Sequence, residues 1–350
     1  MMKFQYLYLF MLGCWLSSCS THQSIGSYVQ QLERDQKVMG TVTVFKNGQS
    51  RYQQSIGFAN IEQQKAADEQ TLYRIGSISK TFTAALILQL IAEEKLSFET
   101  PLATYFPKVS QAAQITIADL LYHRSGLYDI TRAADFETWV SEPREQSAIL
   151  MRIYESDPLC EPNTKTQYTN TNYLLLSFIA EAIEQQDFED ILAKRIVAPL
   201  QLKHTIFGKA IDLSQNEAMC YYPEDDIWQP ITFQTYLANT MGAGGVVSTA
   251  QETAFFYDAL FSGQLLPADL LTTMTEPKDN MGMGFEVTRR KGYKIYAQTG
   301  AIDGFRSVAA YFPKEQLTIV CTLNAAQISV QEILFSILKM YKRSGSKALH

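Results

Sequence analysis

The chain is short of histidine. It has four in 350 residues, and His22 and His350 lie near its two ends. His204 follows Leu200-Gln201-Leu202-Lys203 in what reads as a surface turn, which leaves His123. No G-x-S-x-G segment is present, so a Ser-His-Asp hydrolase of the nucleophile-elbow type lacks its parts. Cysteine is also scarce: five residues and no C-x-x-C, which gives no support for a zinc ribbon. Cys14 and Cys19 fall in the leader, and Cys160, Cys220 and Cys321 are an odd set at unrelated spacings that builds no disulfide framework. Basic residues are outnumbered (30 Lys and Arg against 36 Asp and Glu, formal charge −6) and form no block, which argues against a nucleic-acid partner. No repeat or low-complexity tract occurs, and no apolar run is long enough to span a bilayer.

What the chain does have begins at its start. Met1-Met2-Lys3 is a short positive segment, and Tyr6 to Leu16 is an apolar run of signal-peptide length. It ends in Leu16-Ser17-Ser18-Cys19, which resembles a bacterial lipobox. The expectation is a lipoprotein signal over residues 1–19, lipidation of Cys19 and a polar tether over 20–27. An ordinary signal cleaved near Ser18 or Ser20 is the alternative. Either way the mature protein is expected to be exported, and a lipid anchor would hold it on a membrane without spanning it.

Periodicity orders the rest. Tyr28 to Lys37 reads as a helix. Thr41 to Phe45 and Ser50 to Ala59 read as a hairpin around Asn47-Gly48. Helical patterns dominate from about 81 to 200 (81–94, 116–122, 144–155, 171–185 and 187–196). Period two returns after 280, with strands near 284–289, 293–298, 305–312 and 317–323, and a helix from Val330 to Tyr341 closes the pattern. The expected fold is mixed α/β (α+β), with an antiparallel sheet of about five strands drawn from both chain ends and flanked by helices. A mostly helical subdomain over about 81–239 interrupts a sheet subdomain over about 28–80 and 240–345, within one catalytic domain over 28–345.

Ser77-Ile78-Ser79-Lys80 carries the first chemical signal. Positions i and i+3 share a helix face, so the Ser77 hydroxyl and the Lys80 amine can meet. A lysine in a dry pocket can lose its proton and activate a serine without histidine. S-x-x-K also occurs at Ser336-Lys339 and Ser344-Lys347, in a helical pattern and a polar tail. The first is set apart by Gly76 before it and by the run Thr81 to Ala92, apolar nearly all round, which describes a buried, rigid helix. A serine N-cap on a core helix explains the same residues.

Two further segments can complete a site. Tyr168-Thr169-Asn170 is the single Y-x-N of the chain. A phenol beside a cationic lysine can be pushed toward phenolate and serve as a base. A tyrosine in a helix-entry turn with Asn as cap reads equally well. Gln298-Thr299-Gly300-Ala301 lies at a strand end, where glycine lets an edge lie against a ligand and the N–H of Ala301, with that of Ser77, can form an oxyanion hole. A hairpin-end glycine is the plain alternative.

Together the three segments resemble the serine β-lactamase and penicillin-binding-protein superfamily, nearest its class C β-lactamase-like branch of esterases and D-peptidases. Its S-x-x-K, Y-x-N and K/H-T-G motifs appear here in order as Ser77–Lys80, Tyr168–Asn170 and Gln298–Gly300. Leu120-Leu121-Tyr122-His123-Arg124-Ser125-Gly126-Leu127 is similar to a further landmark, and the resemblance spans roughly residues 28 to 341. It implies Ser77 as acylated nucleophile, Lys80 as activating partner and Tyr168 as base. It places Asn170, Gln298, Thr299, Gly300 and Ala301 around the substrate, and makes His123 and Ser125 structural. No cofactor or metal is implied, since the acyl-enzyme route needs none. The implied partner is a small-molecule or peptide substrate of the cell envelope. One departure stands out. Gln298 replaces the charged residue of the third motif, which disfavours carboxylate-bearing, penicillin-like substrates relative to esters and D-amino-acid peptides. A catalytically silent envelope lipoprotein that binds or senses a ligand is the rival expectation.

Overall fold

The computed structural model describes residues 24–225 and 227–344. The expected signal, Cys19 and the first residues of the tether lie outside the described residues. Helix α1 (Ile25–Arg34) is capped by the Ser24 hydroxyl, which accepts from the Ser27 amide at 3.0 Å. Residues 25–27 of the expected tether are therefore its first turn.

A six-stranded antiparallel sheet forms the body, in line with the expected sheet of about five strands, and all six strand segments read from the sequence take part in it. Strands β1 (Val38–Lys46) and β2 (Gln49–Ile56) come from the N-terminal side. Strands β5 (Glu286–Arg290), β6 (Tyr293–Ile302), β7 (Phe305–Phe312) and β8 (Leu317–Ala326) come from the C-terminal side. The order is β5-β6-β7-β8-β1-β2, so the join between the two ends of the chain is the long β1–β8 ladder from Val38↔Ala326 to Lys46↔Leu317. A short second sheet pairs β3 (Tyr73–Arg74) with β4 (Val246–Ser248).

Strand β6 runs four residues beyond the expected end at Gln298, because Thr299 to Ile302 pair with Phe305 to Val308. The turn between them is Asp303-Gly304, both with positive φ (47° and 89°), the hairpin chemistry that such a pair favours. The third motif therefore sits inside a paired strand.

Helices cover both faces of the sheet. α1 and α5 (Val330–Ser344) pack on one face through Ile25, Val29, Ile333 and Ile337. α4 (Ala250–Phe261), which the sequence pattern did not reveal, packs on the other, where it joins α2 (Ser79–Ala92) and α3 (Asn170–Glu184) in the larger core. α2 is buried on every side from Ser79 to Leu88, as its all-round apolar sequence predicts, and Phe82 stacks on Phe256 of α4 at 3.5 Å between ring centroids.

Candidate active site

Ser77 stands in the single 3₁₀ turn Gly76–Ile78 that leads into α2. Backbone geometry dictates its neighbours. Gly76 has φ +54°, and a Cβ there would lie 2.9 Å from the Ala301 nitrogen. Gly300 is pressed harder: its Cβ would sit 2.0 Å from the Ile75 carbonyl oxygen and 2.3 Å from the Ser307 hydroxyl. The Ser307 hydroxyl in turn donates to that Ile75 carbonyl at 2.8 Å. Two glycines and one serine thus clamp β6 against the nucleophile turn, with the Ala301 amide beside Ser77. On the other side, the Ser79 hydroxyl donates to the Gly76 carbonyl at 2.7 Å and accepts from the Val246 amide at 3.0 Å.

Lys80 has no solvent exposure. Its ammonium has three partners: the Ser77 hydroxyl at 3.0 Å, the Asn170 side-chain oxygen at 2.7 Å and the Ala243 carbonyl at 2.7 Å. It also lies 5.0 Å from the centroid of the Tyr168 ring. Burial lowers its pKa to about 7, and the Asp129 charge opposes that shift. Lys80 is therefore within reach of the neutral form at ordinary pH.

Asn170 links this lysine to a second layer. Its side-chain nitrogen donates to Asp129 at 3.1 Å and to the Thr131 hydroxyl at 3.0 Å. Asp129 is buried, and nothing in its local sequence marks it as part of a site. It stands two residues beyond the Leu120–Leu127 landmark, and a carboxylate next to a turn is too common a pattern to single out.

Tyr168 does not meet the expectation of a phenolate. Burial pushes its pKa well above the ordinary tyrosine value, while hydrogen bonding with the Ser77 and Gln298 side chains opposes the rise. Its ring stacks on His123 at 4.3 Å. His123, fully buried at φ +57°, accepts the Thr169 amide at Nδ1 at 3.2 Å, and burial holds its own pKa well below the usual range. The Ser125 hydroxyl donates to Asn172 at 2.6 Å. This segment supports the Tyr168–Asn170 turn.

The structure brings Ser77, Lys80, Asn170 and the Ala301 amide together and sets Tyr168 and Gln298 beside them. On β6, Gln298 and Gly300 are buried, and Thr299 and Ala301 are exposed. A cleft of about 600 Å³ opens over Ser77, lined among others by Leu174, Phe233, Ala301, Ile302 and Asp303. Asp303 is held by Arg74, fully buried, at 2.7 Å, and accepts the Thr235 hydroxyl at 2.7 Å.

A serine and a buried lysine on one helix start, against an antiparallel strand edge, define a serine hydrolase of the β-lactamase and penicillin-binding-protein type. The chain belongs to the family described as Beta-lactamase, which it matches over residues 25–332. It is 27% identical over 318 residues to a teichoic acid D-alanine hydrolase of Staphylococcus aureus (strain MRSA252), covering 89% of this chain and 77% of that one. It is 24% identical over 315 residues to the putative penicillin-binding protein PbpX of Bacillus subtilis (strain 168), covering 89% and 76%. In fold it is similar to a D-amino acid amidase from Ochrobactrum anthropi SV3 (TM-score 0.80, 24% identity, 91% of this chain and 99% of that one). It is also similar to a penicillin-binding protein from Bacillus halodurans (TM-score 0.78, 22% identity, 89% and 98%).

Proposed function

We propose that this hydrolase cleaves esters or amides of D-amino acids in the cell envelope through an acyl-enzyme on Ser77. The observation that carries the reading is Lys80, buried without exposure and bonded to the Ser77 hydroxyl. In its neutral form Lys80 takes the Ser77 proton as Oγ attacks the acyl carbon. The amides of Ser77 and Ala301 face the developing oxyanion. Tyr168, a neutral phenol, delivers a proton to the leaving alcohol or amine. Water then cleaves the acyl-enzyme by the same groups in reverse.

Substrate preference rests on Gln298. A carboxylate on the leaving-group side of the scissile bond meets an uncharged amide at this position, whereas a D-aminoacyl ester or amide has its ammonium on the acyl side and need carry no carboxylate. The teichoic acid D-alanine hydrolase and the D-amino acid amidase among the relatives are named for such acyl groups. The test is a fluorophosphonate label followed by a substrate screen. An adduct is expected on Ser77, together with faster turnover of D-alanyl esters and amides than of a chromogenic cephalosporin. Ser77→Ala should lower turnover by about 10³-fold or more with little change in Tm. A folded protein that takes no label, or a cephalosporin hydrolysed as fast as the esters, overturns the reading.

We place the enzyme outside the cytoplasm on a lipid anchor at Cys19, the reading of its Leu16-Ser17-Ser18-Cys19 segment. Cys19→Ala should release it from membranes in low-lipid, high-salt extracts; continued co-sedimentation there would refute the anchor.

A further inference from the structure

The chain is acidic overall, yet one end of its sheet is strongly basic. The antiparallel register puts the β1–β2, β5–β6 and β7–β8 turns at the same end. The last turns of α5 reach that end too. The Tyr341 ring lies 5.5 Å from the Lys46 ammonium, and the Lys342 ammonium lies 4.1 Å from the Tyr293 ring. Arg290 sits 4.0 Å over Phe335 of α5. Lys46, Arg290, Lys291, Lys339, Lys342 and Arg343 converge here, and all but the half-buried Lys46 are exposed. Among the described residues none of the six makes an ion pair, although ten such pairs form elsewhere.

The carboxylates nearby do not cancel this charge. Glu315 shares its turn with Lys314, Asp258 is buried and accepts the Gly48 amide at 2.9 Å, and Glu332 borders the recess between Arg290 and Lys339. The cations therefore share a surface without a neutralising carboxylate among the described residues, and three of them, Lys46, Arg290 and Lys342, rest their charged heads over aromatic rings.

The start of the folded chain is on this same half of the molecule. β1 begins at the far end of the sheet, and α1 runs back from the short link at 35–37 along about 15 Å of the strand's roughly 27 Å, with Tyr28 bonded to Ser336 of α5. Ser24 therefore lies on the half of that face nearer the basic end. Four residues lie between Cys19 and Ser24, five steps with a reach of about 17 Å at full extension. Meanwhile β6 carries the chain from Tyr293 at the basic end to Ala301 at the nucleophile, roughly 26 Å away.

We propose that this basic end docks on the surface of an anionic phospholipid bilayer and holds the catalytic cleft above it, facing away. A single-chain lipid attachment is weak without a second signal, and a polybasic patch supplies one. This rests on the Cys19 anchor proposed above: the occupant is a bilayer rather than a soluble polyanion because the tether enters the fold on the same half of the molecule as the patch, within reach of a membrane that holds Cys19. The cleft then opens to substrate that stands off the membrane.

The experiment uses residues 20–350, which lack both the apolar leader and Cys19, so that binding reports the protein surface alone. Co-sedimentation with vesicles of phosphatidylglycerol and phosphatidylcholine (about 30:70) is compared with pure phosphatidylcholine at low and physiological salt. Binding is expected to the anionic vesicles only, weakening with salt. Lys339→Gln, Lys342→Gln and Arg343→Gln combined should weaken it about 100-fold, and Arg290→Gln with Lys291→Gln by more than tenfold. Lys65→Gln, Lys108→Gln and Lys203→Gln combined should leave it unchanged. Hydrolysis of a soluble ester should be the same for all variants. Equal binding to both vesicle types, equal loss in the control triple, or binding of free polyphosphate without binding of anionic vesicles would each overturn the proposal.

Discussion

At the scale of single residues the chemistry turns on which group is uncharged. Burial moves Lys80 down to about 7 and Tyr168 up, so the lysine can hold a free electron pair while the phenol keeps its proton. The rate should follow the lysine: kcat/KM for a neutral ester is expected to rise with pH through about 7, and a profile flat from pH 5 to 9 would exclude Lys80 as the base. Stability carries the same signature. The folded-state value lies below the usual 10.5, so between about 7 and 10.5 the unfolded chain binds more protons and stability rises with pH. Lys80→Met removes that slope along with activity. Wild type should therefore gain on the variant across this window, by up to about 4 kcal/mol, measured as the difference in urea unfolding at pH 7 and pH 10. Ser77 and Lys80 were legible because an i, i+3 pair in front of an apolar run is a local pattern. Asp129 was not, since its contact with Asn170 joins residues 41 apart.

At the scale of elements the site depends on how closely β6 approaches the nucleophile turn. The sequence reading ended that strand at Gln298, because Thr299-Gly300 looks like a turn. Pairing with β7 overrides that local preference, and the true turn signal was Asp303-Gly304. Gly300 is where the two elements touch. Gly300→Ala puts a methyl 2.0 Å from the Ile75 oxygen, where backbone must yield on one side or the other. The expected cost is about 1–3 kcal/mol in thermal or urea unfolding, with a fall in kcat larger than the stability loss accounts for. A variant with full activity would mean that the strand edge is not part of the oxyanion site. α4 escaped the sequence reading for a related reason: nine of its twelve residues are buried, so it carries little amphipathic stripe to detect.

At the scale of the molecule one buried cation joins three stretches of chain. Arg74 of β3 pairs with Glu217 at 3.1 Å and Asp303 at 2.7 Å, and donates to the Thr235 carbonyl at 2.8 Å. Its two carboxylates and Thr235 fit no local motif, so no reading of spacing reveals them. Removing one member of a buried set leaves the others uncompensated. Arg74→Met is expected to cost about 3–5 kcal/mol and to loosen the Asp303 wall of the cleft; an unchanged midpoint in chemical unfolding would show the network to be dispensable. The broad architecture was visible from the return of period two after the helical stretch. All six strands were visible as segments; that they join one sheet, and in which order, depended on contacts between the two ends. Those ends meet late. Lys37 and Gln327, partners at 3.2 Å, are separated by 290 positions, so β1 lacks its β8 partner, and the nucleophile turn its β6 neighbour, until most of the polypeptide has emerged from the ribosome. A nascent chain thus carries its serine and lysine in an unassembled and inert form, and hydrolytic power switches on only as the last strands dock. Under the export proposed above, that ordering would keep the chain both threadable and chemically silent inside the cell that makes it.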